Sequence, residues 1–245
     1  MKSEQYALMH TNETGHWYFR AKHAIVLSIL DRLDLREASL IDFGCGCGRM
    51  MQLLSRYGNV TGVDISEEAL GYCREIGVQG DLIQGDLETL CLDTAYDAAV
   101  ALDVLEHIEN DVLAAKNIFR ALKPDAVCVF TAPAFQRLWS EHDENLMHKR
   151  RYDRQGLEGV LRAAGFSIEY SSYFNFWLFL PILAMRFFCR LLRMNRSASL
   201  ESTLPAKPIN TLLYALLSSE KRFVRLGVRL PFGVSLICVA RKVVA

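Results

Sequence analysis

The sequence predicts an α/β fold built on a doubly wound, mostly parallel sheet. Short apolar runs that fit buried strands alternate along the chain with segments that have helical periodicity. The first run, residues 39–43, leads into three glycines at alternate positions and then into a helix pattern that begins at Arg49. A strand, a glycine turn and a helix N-terminus together form a cradle for nucleotide-like ligands.

Composition limits the class of protein. A chain of 245 residues suits one large domain, or one domain with an insertion. Lys plus Arg and Asp plus Glu both total 28, and this zero net charge argues against a general nucleic-acid binder. The seven cysteines lack zinc-site spacing, and no apolar signal-peptide core is present at the N-terminus. We therefore expect free thiols, no metal and a cytoplasmic location.

The glycine turn distinguishes between two kinds of cofactor. A dinucleotide site needs G-x-G-x-x-G, and neither register of Gly44, Gly46 and Gly48 supplies the third glycine. Asp42 stands two residues before the first glycine, where an acid repels a pyrophosphate but suits a cation. This pattern disfavours a nicotinamide-dependent oxidoreductase, which remains the alternative enzyme class.

The turn resembles motif I of the class I, Rossmann-like methyltransferases that depend on S-adenosylmethionine (SAM). SAM carries an ammonium and a sulfonium but no phosphate. The resemblance covers residues 39–165 with four motifs in order. It implies a seven-stranded, mostly parallel sheet and SAM as the cofactor. In that family the last strand follows strand six by a short hairpin, so the long segment before the last strand of this chain is predicted to be an α-helical insertion. It also places Asp42, Gly44, Cys45, Gly46 and Gly48 against SAM.

Acids after the second and third strands extend the predicted cofactor site. Asp64 lies 22 residues past Asp42 at a strand end, where a carboxylate can accept both ribose hydroxyls. The alternative for Asp64 is a helix N-cap. Ile65 follows it and is assigned to the same site. The resemblance implies that Asp86 accepts from the adenine amino group and that Leu87 packs on the ring.

The predicted fourth strand, residues 96–102, ends in a Leu-Glu-His motif that matches the family. Ligands of open α/β sheets lie outside the carboxyl ends of strands, so this end is expected near the reacting methyl group. Asp103 is assigned to the cofactor. His107 is either a general base or a residue that orients the cofactor.

An aromatic stretch, residues 16–20, precedes motif I. A similar stretch precedes motif I in several bacterial class I methyltransferases. Trp17 is interpreted as part of a lid over the cofactor, with a packed cover as the alternative. Arg20 can grip the methionine carboxylate of SAM bidentately, or be a plain surface charge.

The loop after strand five is rich in ionisable side chains. His142, His148 and Tyr152 are acid/base or orienting candidates there, beside Asp143. A metal site formed by His142, Asp143 and His148 is an alternative, but their spacing fits no known metal signature, so no metal is assigned. Two arginines, residues 150–151, suit an anionic substrate. The alternative is a solvated charged loop.

The chain divides into a cap and first helix (1–38), a SAM-binding core (39–173), an insertion (174–230) and a last strand (231–245). The insertion carries nine Lys or Arg against two acids, hence +7, with Arg186, Arg190, Arg193 and Arg196 among Phe and Leu. Its apolar run is shorter than the roughly 20 residues that span a bilayer. It is interpreted either as an interfacial helix on the inner face of an anionic membrane, or as a hairpin on its own core or on a second subunit of a homodimer.

These features together predict a SAM-dependent methyltransferase. The methyl group would pass to an O, N or C nucleophile of a small or amphiphilic acceptor: a lipid, a quinone precursor or a lipid-linked sugar. Analogy places such loops and insertions in bacterial cell-envelope pathways. A non-catalytic, SAM-binding, membrane-associated protein is the other alternative.

Overall fold

A seven-stranded sheet forms the centre of the protein in the computed structural model, which describes residues 3–92, 95–191 and 204–243. The strands are β1 (Ala38–Phe43), β2 (Gly58–Asp64), β3 (Asp81–Gln84), β4 (Tyr96–Leu102), β5 (Leu122–Pro133), β6 (Ser167–Phe174) and β7 (Ser235–Arg241). Their order is β3-β2-β1-β4-β5-β7-β6. Neighbours from β3 to β5 are parallel, and β7 is antiparallel to both β5 and β6. The predicted fold class is confirmed.

Helices flank the sheet and connect its strands. They are α1 (Ser3–Asn12), α2 (Trp17–Leu30), α3 (Arg49–Leu54), α4 (Glu67–Glu75), α5 (Asp111–Ala121), α6 (Glu141–Asn145), α7 (Arg154–Ala163), α8 (Phe179–Leu191), α9 (Lys207–Ser219) and α10 (Lys221–Arg225). Short 3₁₀ turns occupy residues 105–107 and 136–138.

Two apolar clusters lie on opposite faces of the sheet because successive strand residues point to opposite sides. Leu40 and Val100 belong to one cluster, whereas Ile41 and Ala101 belong to the other. Helices α2, α3 and α9 contribute to the first cluster, and α5 and α7 contribute to the second. Burial on both faces explains why the central strands read as continuous apolar runs.

The N-terminal region is more helical than the sequence indicated. Helix α1 was not predicted, and α2 begins at Trp17, so the aromatic stretch is itself helical. The side chain of His16 caps α2 by accepting the N–H of Tyr18. This cap fixes the residue at which α2 begins, and with it the position of the aromatic side chains in the first turn of the helix.

The described part of the insertion contains α8, α9 and α10, and its second half packs on the first apolar cluster through Leu217 of α9. Asn210 accepts the N–H of Trp17 and donates to the carbonyl of Gly15. Residues 192–203, which include Arg193 and Arg196, lie outside the described residues. Among the helices that the structure does describe, none has the length and apolar character needed to cross a membrane.

A buried carboxylate ties the insertion to the end of β6. Glu220 is fully buried and accepts the backbone N–H groups of Asn175, Phe176 and Trp177 at 2.7, 2.8 and 3.3 Å. One side chain thus pairs three successive donors where the chain leaves the sheet. The start of α8 is therefore fixed by the end of α9.

Candidate active site

One cavity of about 550 Å³ opens beyond the carboxyl ends of β1, β2 and β4. The strand order reverses between β1 and β4, which is where open α/β sheets bind their ligands. Helix α1 and the first turn of α2 line one side of the cavity, the loop after β5 lines another, and Ile182 and Arg186 of α8 reach it from the insertion.

The glycine turn lies against this cavity in a conformation that side chains disfavour. Gly44, Gly46 and Gly48 have φ values of +70°, +54° and +88°. A Cβ at Gly44 would stand 2.5 Å from Val104, and one at Gly46 would stand 2.5 Å from Met9. Gly44 and Gly46 line the cavity, whereas Gly48 does not and instead turns the backbone into α3. The turn therefore needs glycine for both φ and space.

Asp64 lies at the cavity at the end of β2 and is buried. Its two oxygens accept the N–H groups of Gly46 and Ser66, each at 2.9 Å. Burial raises the pKa of this carboxyl. The N-cap of α4 is Ser66, whose hydroxyl accepts from Ala69, so Asp64 is not that cap. The remaining lone pairs of Asp64 are available to a ligand.

Ile65, Asp86 and Leu87, which the sequence analysis assigned to the cofactor, also line the cavity. Ile65 exposes 61% of its surface, which leaves an apolar face open beside Asp64. Asp86 accepts the N–H of Glu88 at 2.9 Å, so a local turn fixes its orientation. Asp81 stands exposed at the start of β3 and does not line the cavity.

A second cavity of about 60 Å³ lies at the glycine turn and is lined by Asp42, Cys45 and Glu13. One oxygen of the buried Asp42 has no hydrogen-bond partner among the described residues. Burial, together with the charges of Glu13 and Asp64, raises the pKa of Asp42 well above its usual range. Burial likewise raises the pKa of Glu13 to about 7. A buried carboxylate is costly unless it is paired with a positive charge. These two carboxyls therefore suit a cationic group of a ligand.

Lys22, rather than Arg20, is the α2 cation at the main cavity. The ammonium of Lys22 is 2.7 Å from Asp103, which also accepts from Thr131 at 2.8 Å. Burial opposes the charge of Asp103, but Lys22 and Thr131 hold its pKa below the usual value. Arg20 is exposed and stacks 4.4 Å from the ring of Tyr214.

Arg20 is thus not brought to the cavity, because it lies on the outer face of α2. Trp17 and Asp103, which the sequence analysis also assigned to the cofactor, do line the cavity. The sequence analysis missed Lys22. Its position in the sequence could have indicated this, because Lys22 shares the buried face of the helix with Ala21, Ile25 and Val26.

His107, His142 and His148 all line the cavity. The rings of His107 and His148 meet edge to face with centroids 4.7 Å apart. Nδ1 of His148 is 2.9 Å from Asp143, which Arg151 grips with two N–H groups at 2.7 and 3.0 Å. Burial, with a contribution from His148, lowers the pKa of His107 to about 3.

Glu106 is a cavity residue to which the sequence analysis gave no role. It is fully buried, and in the part of the chain that the structure describes neither of its carboxyl oxygens has a hydrogen-bond partner. Burial, and then the charge of Asp103, raise its pKa well above the usual range. The signal was present in the sequence, because Glu106 stands inside the Leu-Glu-His motif beside His107.

Tyr152 and Arg150 are not brought to the cavity. The hydroxyl of Tyr152 donates to Asp111 at 2.7 Å, and Arg150 pairs with the same carboxylate at 2.9 Å. Both side chains thus connect the loop after β5 to the start of α5. The predicted acid/base role of Tyr152 lacks the necessary geometry, because its hydroxyl is used inside the fold.

Topology and site together agree with the class that the sequence resembles. The strand order with an antiparallel β7, the glycine turn after β1 and the acids after β2, β3 and β4 have the arrangement expected of a class I SAM-dependent methyltransferase.

Comparison with known proteins agrees with this class. Residues 41–130 match the family model described as a methyltransferase domain. A ubiquinone biosynthesis O-methyltransferase of Rickettsia conorii is 32% identical over 103 residues, which are 40% of this chain and 36% of the relative. That of Rickettsia prowazekii is 27% identical over 122 residues, 46% and 48% of the two chains. The chain thus spans less than half the length of these two relatives.

Solved structures give the same fold. A TehB-like SAM-dependent methyltransferase of Corynebacterium glutamicum has a TM-score of 0.61 at 20% identity, over 98% of this chain and 97% of that one. Phosphoethanolamine N-methyltransferase 2 of Haemonchus contortus, in complex with SAM, has a TM-score of 0.57 at 18% identity, over 89% and 52%. Residues 41–130 are therefore similar to a methyltransferase domain, and the chain has the fold of these SAM-dependent methyltransferases.

Proposed function

We propose that the protein transfers the methyl group of SAM to a hydroxyl oxygen of a small or amphiphilic acceptor. The observation that carries this proposal is one continuous cavity that the glycine turn and Asp64 share with His107 and His148. The choice of oxygen over nitrogen or carbon is supported by the O-methyltransferase names of the Rickettsia relatives.

The cofactor half of the cavity fits SAM group by group. Asp64 is fixed by two backbone donors and has lone pairs left for the ribose hydroxyls. Ile65 and Leu87 offer apolar surface to the adenine, and Asp86 offers an acceptor for its amino group. The buried carboxyl of Asp42, at the second cavity beside the glycine turn, suits the ammonium. Lys22 is placed to attract the methionine carboxylate in the role expected of Arg20.

Methyl transfer is an in-line displacement, so the protein mainly positions two reactants and excludes water. The covering side chains include Tyr6, Met9 and Trp17 of α1 and α2. A hydroxyl must also lose its proton as it attacks the methyl carbon. In this proposal the acceptor hydroxyl gives its proton to His148, whose ring is oriented by Asp143.

The test uses labelled SAM and a lipid extract, followed by identification of the labelled product. His142→Ala and His148→Ala should keep SAM affinity in calorimetry, and His148→Ala should lower turnover by roughly 10²- to 10⁴-fold. Arg20→Ala is the control, since its side chain lies outside the cavity. Unchanged turnover in both histidine variants would place the acceptor elsewhere. SAM binding without any labelled product would favour a non-catalytic protein.

We also propose that the insertion attaches the protein to an anionic membrane. The basic apolar patch, residues 221–229, exposes Leu226 and Val228 among four exposed cations. These are Lys221, Arg222, Arg225 and Arg229. Positive charge beside exposed apolar side chains suits an interface of anionic lipid.

Helix α8 contributes differently from the sequence prediction. Trp177, just before this helix, and Leu180 and Phe187 within it are exposed, at 47%, 62% and 62%. Arg186, however, is buried and donates to the carbonyl of Leu138 at the cavity. Arg186 is therefore not a membrane contact, because its guanidinium points into the protein.

Vesicle flotation tests the attachment. Each basic residue near an anionic surface is worth about 1 kcal/mol, so replacing Lys221, Arg222 and Arg225 with Gln should weaken binding to anionic vesicles by roughly two orders of magnitude. SAM affinity should stay unchanged. Neutral vesicles and high salt should both reduce binding of the unaltered protein. If that protein ignores both vesicles but forms a dimer that Trp177→Asp dissociates, the exposed face is a subunit interface.

A further inference from the structure

We propose that Glu106, His107 and His148 form a divalent-metal site in the wall of the cavity. One potential ligand atom from each residue lies within 4.8 Å of those of the other two. All three residues line the cavity, so a bound ion would be open to the acceptor. This departs from the sequence prediction, which assigned no metal.

The state of Glu106 points independently to a ligand. Its side chain is fully buried, and both carboxyl oxygens lack a hydrogen-bond partner within residues 3–92, 95–191 and 204–243. A buried polar group without a partner is costly, and a buried charge is more so unless it is paired or coordinates a metal. A cation beside the two imidazoles would supply the missing partner.

The surroundings of His148 resemble the outer shell of a metal ligand. Nδ1 of His148 is 2.9 Å from Asp143, which leaves Nε2 as its ligand atom. Asp143 is in turn held by Arg151 and by the backbone N–H of Ser140. Ligating histidines typically bind a carboxylate through their second nitrogen, which fixes the tautomer and the ring.

The ligand set limits the choice of ion. Two imidazoles and one carboxylate suit Zn²⁺, Mn²⁺ or Fe²⁺ and disfavour the soft ions that prefer thiolates. Three protein ligands also leave coordination positions for water or an acceptor. The site can therefore bind an ion and still present it to a second molecule.

The consequence for catalysis rests on the proposed function. An acceptor hydroxyl bound to the ion has a lowered pKa and releases its proton to solvent. The oxygen then attacks the methyl carbon of SAM; the O–C bond forms as the C–S bond breaks, and the electron pair returns to sulfur. Nε2 of His148 then binds the ion instead of accepting the proton.

Mn²⁺ is the probe, because it favours oxygen and nitrogen over the cysteines of this chain. The metal-free full chain is titrated with Mn²⁺ and observed by electron paramagnetic resonance. The spectra should show one bound ion whose signal is coupled to imidazole nitrogen. Glu106→Gln and His148→Asn should each weaken binding more than tenfold, and Asp143→Asn by roughly 10- to 100-fold. His142 lines the same cavity outside the cluster, so His142→Asn should bind as the unaltered protein does.

Absence of Mn²⁺ binding up to millimolar concentration, or binding without nitrogen coupling, would overturn the proposal. So would equal affinity in folded Glu106→Gln and His148→Asn. The coupling is measured on the unaltered protein, so a variant that fails to fold leaves the test intact. SAM affinity is measured separately in chelator. Loss of SAM affinity would count against the proposed function. Full turnover in chelator would contradict only the proposed role of the metal and would leave the proposed function standing.

Discussion

Replacement of Asp64 by Ala should abolish useful SAM affinity while leaving the sheet intact. The Asp64 carboxylate stands at the end of β2, where the backbone N–H groups of Gly46 and Ser66 hold it at 2.9 Å each. That fixed orientation aims its free lone pairs at the cavity. Asp64→Ala removes the proposed ribose contact. It also removes the acceptor for the N–H of Gly46, which holds the glycine turn in place.

The size of the effect follows from these hydrogen bonds. Two ribose hydroxyls that donate to a charged acceptor are worth about 1.5–3 kcal/mol each. Their loss gives roughly 3–6 kcal/mol, or about 10²- to 10⁴-fold in Kd. The N–H groups of Gly46 and Ser66 lose an acceptor as well, which should lower the free energy of unfolding by roughly 1–3 kcal/mol for each buried donor.

Calorimetric titration with SAM measures the affinity, and thermal unfolding confirms that the variant is folded. Asp81→Ala is the matched control, since Asp81 is an exposed acid one strand away that does not line the cavity. It should bind SAM as the unaltered protein does. Unaltered affinity in folded Asp64→Ala would refute the ribose assignment.

Three further changes test the described interactions. Lys22→Met should lower the free energy of unfolding at pH 7 by roughly 3 kcal/mol, because Asp103 loses its partner. The pKa of Asp103 is held below its usual value, so this difference should shrink as the pH falls below about 4 in urea unfolding series. Tyr152→Phe should cost about 1.5–3 kcal/mol by loss of the bond to Asp111 and leave turnover unchanged. Glu220→Ala should cost roughly 2–4 kcal/mol in chemical unfolding, because three backbone donors lose their acceptor.

Each of these expectations has a clear opposite result. A pH-independent difference for Lys22→Met would mean that its effect is packing and not charge. Reduced turnover in Tyr152→Phe, at unchanged SAM affinity, would restore the acid/base role that the sequence suggested. Unaltered stability of Glu220→Ala would show that the start of α8 is held by other contacts.

The sequence by itself predicted the sheet and the acids that the proposed cofactor site uses. Strand ends and glycine turns are local features, so the residue pattern alone places Gly44 after β1 and Asp64 at the end of β2. The acids meet at one edge because parallel strands present their carboxyl ends together. Asp42, Asp64 and Asp86 accordingly lie around the two cavities.

Only the tertiary structure decided which ionisable side chains face the cavity. Arg20 and Lys22 are two positions apart on one helix, and the packing of α2 against the sheet turns Lys22 inward and Arg20 outward. Glu106 and His148 are far apart in the chain, and the path of the loop after β5 brings them together. Such contacts depend on how distant elements pack, and the local periodicity of a chain does not encode that packing.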